Sequence, residues 1–213
     1  MTAPLKHVKS QLLLISEQVR SPGALVSVLF VFSFLIVSLF DESLGEVLEF
    51  NRRLIEQGEY WRILTGNYVH FGWYHTVMNS LSALLIGVFL FWVLPWRLSL
   101  FLLLIIPFLE GLSLYLFSLE IEVYRGFSGA VYGLALVGLV LNWRINPPIT
   151  SLVIAGLLGK LIYERMPEYD TNFLIEEIGV PVAIDAHLWG AVAGVILLPL
   201  LWRKYSVQVE SAS

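Results

Sequence analysis

There is no cysteine in this chain. That excludes a disulfide framework, a thiol nucleophile and a thiolate metal site. Charge is scarce too. Asp, Glu, Lys and Arg make up 14% of the residues, where ordinary soluble domains carry about a quarter. The net charge of −4 argues against a nucleic-acid partner. The four histidines form no His-Glu-x-x-His arrangement, so a zinc peptidase is not indicated. The first apolar run follows polar-to-mixed residues and has no small-residue cleavage site, so no cleaved signal peptide is expected.

What is present is apolar sequence, 57% of 213 residues. A soluble domain of this length cannot bury that much, and several runs approach the roughly 20 residues a membrane-spanning helix needs. The expectation is an all-α, polytopic membrane protein with one domain over 1–213 and the lipid bilayer as its surroundings. Six helices are predicted, at about 23–40, 74–94, 98–117, 126–141, 149–163 and 182–202. Met1 to Pro22 reads as a surface-lying segment. Asp41 to Gly72 is too polar to span, and Tyr60, Trp61, Tyr68, Phe71 and Trp73 suit an interfacial segment between helices 1 and 2. Seven Lys and Arg on one side (Lys6, Lys9, Arg20, Arg97, Arg144, Arg203, Lys204) face five on the other (Arg52, Arg53, Arg62, Arg125, Arg165). The positive-inside rule then puts both termini in the cytoplasm.

With that topology helices 2, 4 and 6 run in the same direction, and each opens with polar residues. These are His75 and Asn79, then Ser128, then Asp185 and His187. Polar side chains at membrane depth are costly and face a protein interior or a wet cavity. Three such groups at one level suggest a shared pocket. Serine needs a base to become a nucleophile, and histidine suits that role by its pKa. Gly129 and Gly133 on helix 4, and Gly190 and Gly194 on helix 6, would let the two helices approach closely. His187 could then reach Ser128, and Tyr132 could pack against the imidazole. The backbone N–H groups at the start of helix 4 favour negative charge. His75 and Asn79, four apart on one helix face, could add donors for an oxyanion. The bland alternatives are glycine packing around Ser128, helix-to-helix bonding by His75 and Asn79, and a structural or headgroup-facing His70.

These residues resemble the rhomboid intramembrane serine protease family. Gly126-Phe127-Ser128-Gly129 with Tyr132 resembles its fourth-helix motif. Ala186-His187-Leu188-Trp189-Gly190 with Gly194 resembles its sixth. His70, His75 and Asn79 resemble its second-helix pattern, and Gly58 to Thr65 its Trp-Arg loop. The resemblance implies Ser128 as nucleophile and His187 as general base. It implies an oxyanion hole of His75, Asn79 and the Ser128 backbone N–H, and access framed by the first loop and helix 5. The family works as a dyad, and the resemblance implies neither a metal nor an organic cofactor. Asp185, two residues before His187, would point elsewhere, so no third member is expected. Leu64 to His70, Lys160 to Glu164 and Val182 to His187 are similar to the bacterial rhombosortase branch. That likeness implies a multi-pass protein of the bacterial inner membrane, opening to the periplasm. Its partners would be transmembrane substrates whose C-terminal tail has a Gly-Gly motif, an apolar helix and a basic end.

Other readings stand beside this one. Lys160 could serve as base in a Ser-Lys scheme, although Glu164 one turn away is expected to pair with it. A catalytically silent relative that binds transmembrane helices would be expected to lack the serine or the histidine. A transporter would need more midplane charge than Glu110. An aspartyl protease would need two intramembrane aspartates, whereas Asp41, Asp170 and Asp185 lie in or beside loops.

Overall fold

The computed structural model describes residues 16–210, with side chains for 16–40 and 44–205. The expected surface segment Met1 to Pro22 therefore lies largely outside the described residues. The fold is mostly helical. The long helices are α1 (Pro22–Ser38), α5 (Gly72–Phe89), α6 (Trp96–Phe117), α7 (Ser128–Leu141), α8 (Pro147–Tyr163) and α10 (Ile184–Glu210). By length and apolar composition, two segments suffice to cross a membrane, Trp96–Phe117 and Ile184–Tyr205. Helices α1, α7 and α8 are apolar but have 17, 14 and 17 residues. At 1.5 Å per residue, α7 rises only about 21 Å. The six predicted runs are thus six helices, of which four fall short of that test.

The boundaries have local causes. The second helix ends at Phe89 rather than near 94, and the Leu90 carbonyl is taken by the Asn142 side chain at 2.8 Å. The fourth starts at Ser128 rather than Gly126, because Gly126 has φ +135°, outside helical space and open only to glycine. Ser21 and Asn146 cap α1 and α8 with their side chains, each followed by proline in the first turn, where a missing N–H costs nothing.

The segment between α1 and α5, expected at the interface, is folded. It holds α2 (Asp41–Leu48), β1 (Phe50–Asn51), α3 (Arg52–Glu56), α4 (Arg62–Thr65) and a 3₁₀ turn (Gly66–Tyr68). Buried Arg52 donates to the carbonyls of Leu114, Tyr115 and Ser118 at 2.8–2.9 Å, closing the end of α6. Buried Arg62 does the same for Glu46 and Glu49 at the end of α2. Guanidinium groups suit helix C-termini, where carbonyls lack partners and the dipole is negative. Strand β1 pairs antiparallel with β2 (Val123–Tyr124), Phe50 opposite Tyr124 and Asn51 opposite Val123. Gly126 N–H also bonds the Gly66 carbonyl at 3.1 Å. The chain just before Ser128 is thereby anchored to this segment. Of the expected interfacial aromatics, Tyr60, Trp61 and Trp73 are exposed. Tyr68 instead turns inward against Phe30, Phe34 and Phe127.

The core lies where α1, α5, α6, α7 and α10 meet, around Phe34, Leu102, Ile106, Phe127, Ala130, Leu134 and Val137. Helices α7 and α10 share the most extensive contact, while α8 buries only Thr150. The outer faces stay apolar: Leu29, Phe32, Leu152, Ile196 and Leu200 are all exposed. Apolar surface on this scale requires a nonaqueous surrounding or a partner.

Candidate active site

Helices α7 and α10 touch backbone to backbone. A Cβ on Gly190 would overlap the Gly129 carbonyl, one on Gly133 the Gly190 carbonyl, and one on Gly194 would stand 2.6 Å from the Gly133 oxygen. The expected small-residue seam is therefore present, with all four glycines in it. It brings His187 Nε2 to 3.2 Å from Ser128 Oγ. Tyr132 stacks on the His187 ring at 4.6 Å between centroids. Ser128, the first residue of α7, is partly exposed, while His187 is buried.

His75 and Asn79 stand on the α5 face that meets this pair. Gly126 presses against the His75 ring; a Cβ there would lie 2.7 Å from Cε1. His75 Nδ1 accepts from the Phe71 N–H at 3.4 Å, so its proton is on Nε2. Asn79 donates one N–H to the His75 carbonyl at 3.0 Å, leaving the other free of that bond. His70 is buried, not headgroup-facing; its ring lies 5.2 Å from that of His75 and 5.1 Å from Phe34. Burial, aided by the neighbouring His75, lowers its pKa to about 3.

Two cavities meet at Ser128 and His75. One, of about 390 Å³, is bordered by Glu122, Arg125, Pro181 and Ala183. The other, of about 370 Å³, lies between α5 and α8 and is mostly apolar, with Met78, Leu157, Phe173 and Leu174 around it; Asn79 and His187 also open onto it. The serine can thus be approached from two sides, and the first cavity carries charged residues, Glu120, Glu122 and Arg125, at its border.

Asp185 turns away from His187, as expected. It pairs with Arg165 and accepts from Ser118 at 2.5 Å. An acidic partner of His187 is nevertheless present. Glu164, just past the end of α8, places both carboxylate oxygens 3.0 Å from Nδ1. The expected Lys160–Glu164 pair also forms, at 2.8 Å, and the Tyr132 hydroxyl donates to the same carboxylate at 3.3 Å. Burial by itself would raise the Glu164 pKa. Hydrogen bonds and charge from His187 and Lys160 outweigh it and hold the carboxyl below its ordinary value. Sequence reasoning missed this contact. Its only signal was an acid one turn beyond a lysine at a helix end.

Among the described residues no cluster of His, Cys, Asp or Glu could hold a metal ion. The arrangement contains a hydroxyl, an imidazole able to take its proton, donors nearby, and a helix start beneath them. These are the parts acyl transfer requires. A family model described as the Rhomboid domain matches residues 57–204, more than half of the chain. No curated protein matches it.

Proposed function

Because this chain belongs to the rhomboid family of membrane proteins, which are generally intramembrane serine proteases, we propose that it is itself such an endopeptidase. In this reading six helices span the membrane, both termini are cytoplasmic, and the site lies below the outer, periplasmic surface of a bacterial inner membrane. The observation that carries the reading is the 3.2 Å approach of His187 Nε2 to Ser128 Oγ where the two cavities join.

The reaction follows from the groups present. A single-span substrate reaches Ser128 from the bilayer through the apolar cavity, locally unwound so that its peptide bond is accessible. Oγ attacks the carbonyl carbon as its proton passes to His187 Nε2. The carbonyl electron pair becomes an oxyanion, stabilised by the Ser128 N–H, the His75 Nε2–H and the second Asn79 N–H. Losing one such donor typically costs about 10²–10³ in rate. Collapse breaks the C–N bond, and the proton on Nε2 goes to the leaving amine. Water from the other cavity, bordered by Glu122 and Arg125, then repeats the sequence on the acyl-enzyme. The substrates proposed are exported proteins with a C-terminal Gly-Gly motif, apolar helix and basic end, on the likeness of Leu64 to His70, Lys160 to Glu164 and Val182 to His187 to the rhombosortase branch. The test is purified protein with a substrate carrying such a tail. Cleavage should depend on both Ser128 and His187; undiminished cleavage by Ser128→Ala or His187→Ala would overturn the reading.

A further inference from the structure

We infer that Glu164 is a positioning residue for His187, making the unit a Ser128–His187–Glu164 triad rather than a dyad. This rests on the proposed protease reading and adds a member to it. A carboxylate can only accept hydrogen bonds. With both of its oxygens 3.0 Å from Nδ1, it selects the tautomer that carries the proton there. Nε2 is then bare, and it is the nitrogen facing Ser128 Oγ. The opposite tautomer would point an N–H at the hydroxyl and could not take its proton. When Nε2 accepts the serine proton, both ring nitrogens carry hydrogen and the imidazolium charge lies against Glu164. The carboxylate stabilises that charge and takes no proton itself, as in other acid–histidine–serine units.

The rival account is that Glu164 is buried only to pair with Lys160. The geometry points the other way. The Lys160 side chain is 47% exposed and that of Glu164 1%. A surface lysine does not need its partner drawn into the interior, since such ion pairs form between exposed side chains. Burying a carboxylate is costly unless its oxygens are satisfied, and the groups that meet it inside are His187 and Tyr132. Tyr132 also stacks on the imidazole, so its hydroxyl and its ring touch both the carboxylate and the imidazole. Asp185, the acid nearest His187 in sequence, is committed to Arg165, and Lys160 reaches the Tyr169 hydroxyl as well as Glu164.

The experiment uses the full chain, purified in detergent, with the tailed substrate. Imidazole ¹⁵N spectra of the unmodified protein, at a pH where His187 is neutral, should show its proton on Nδ1. A proton on Nε2 would overturn the inference without any variant. Glu164→Gln should lower kcat by about 10²- to 10⁴-fold with KM within about twofold, and should mix the two tautomers. Glu164→Asp should recover part of kcat. Lys160→Met should lose less than tenfold, because the Nδ1 contact remains. Wild-type kcat in Glu164→Gln, or an equal loss in Lys160→Met, would overturn the role assigned to Glu164. Neither result touches the protease reading, which fails if Ser128→Ala or His187→Ala cleaves undiminished.

Discussion

The seam between α7 and α10 and the gap between α5 and α8 border the same serine, yet they are built in opposite ways. At the seam, glycines bring two backbones into contact, so Ser128 and His187 are held by atoms that cannot move aside. Across the gap, a cavity of about 370 Å³ lies between the helices, and α8 buries a single residue. A proton transfer needs fixed geometry, because small misplacement of reacting groups is expensive. Admission of a helical substrate needs the reverse, a boundary with few contacts to break. Glu164 joins the two regions, coming from the end of the loosely held helix but bonded to the imidazole on the tight side. The end of α8 and the His187 ring are therefore linked through one carboxylate.

Chemistry gives the sharpest way to break this contrast. Ser128→Ala and His187→Ala should each lower cleavage by at least about 10³-fold while leaving thermal stability nearly unchanged, measured by substrate turnover and a melting curve. Gly190→Val attacks the seam itself. Its side chain would overlap the Gly129 carbonyl, and overpacking of this kind costs about 1–3 kcal/mol or more. Melting temperature and fluorophosphonate labelling of Ser128 should fall together. Tyr132→Ala removes both the stacked ring and the Glu164 contact and should cost about tenfold in kcat, whereas Tyr132→Phe, which keeps the ring, should cost only a few-fold.

A pH scan probes the interior behind α5. His70 has a folded pKa of about 3, whereas an unfolded histidine takes its proton near 6.5. Between those values the unfolded chain binds more protons, so the contribution of His70 is complete above about 6.5 and is lost as pH falls toward 3. His70→Gln should flatten the drop in melting temperature between pH 7 and pH 4. The smallest effect belongs to the loose side. Leu152 on α8 is 73% exposed, and Leu152→Ala should leave both turnover and melting temperature within error. A large effect there would show that α8 is held more firmly than its burial indicates.

Much of the site was legible in order along the chain. Ser128 between glycines, His187 with Gly190 and Gly194 behind it, and His75 one turn before Asn79 are local patterns. Apolar length located the six helices to within a few residues at most ends. Two features were not legible. The segment from Asp41 to Gly72 read as aromatic and polar, but its role depends on Arg52 reaching carbonyls 62 to 66 residues away and on β1 meeting β2. Glu164 read as the partner of Lys160, which it is. That it also meets His187, 23 residues on, follows from how the end of α8 folds over the start of α10. No periodicity records that.

The sequence by itself determined the membership of this chain in an apolar helical class, the spacing of its glycines and the identity of the serine and histidine, because those follow from composition and from neighbours within one helical turn. Only the tertiary structure decided which carboxylate faces the imidazole and which loop anchors the chain before Ser128. Both are contacts between distant segments, and a hydrogen bond at 3.0 Å is fixed by how helices pack and end, not by the order of residues along any one of them.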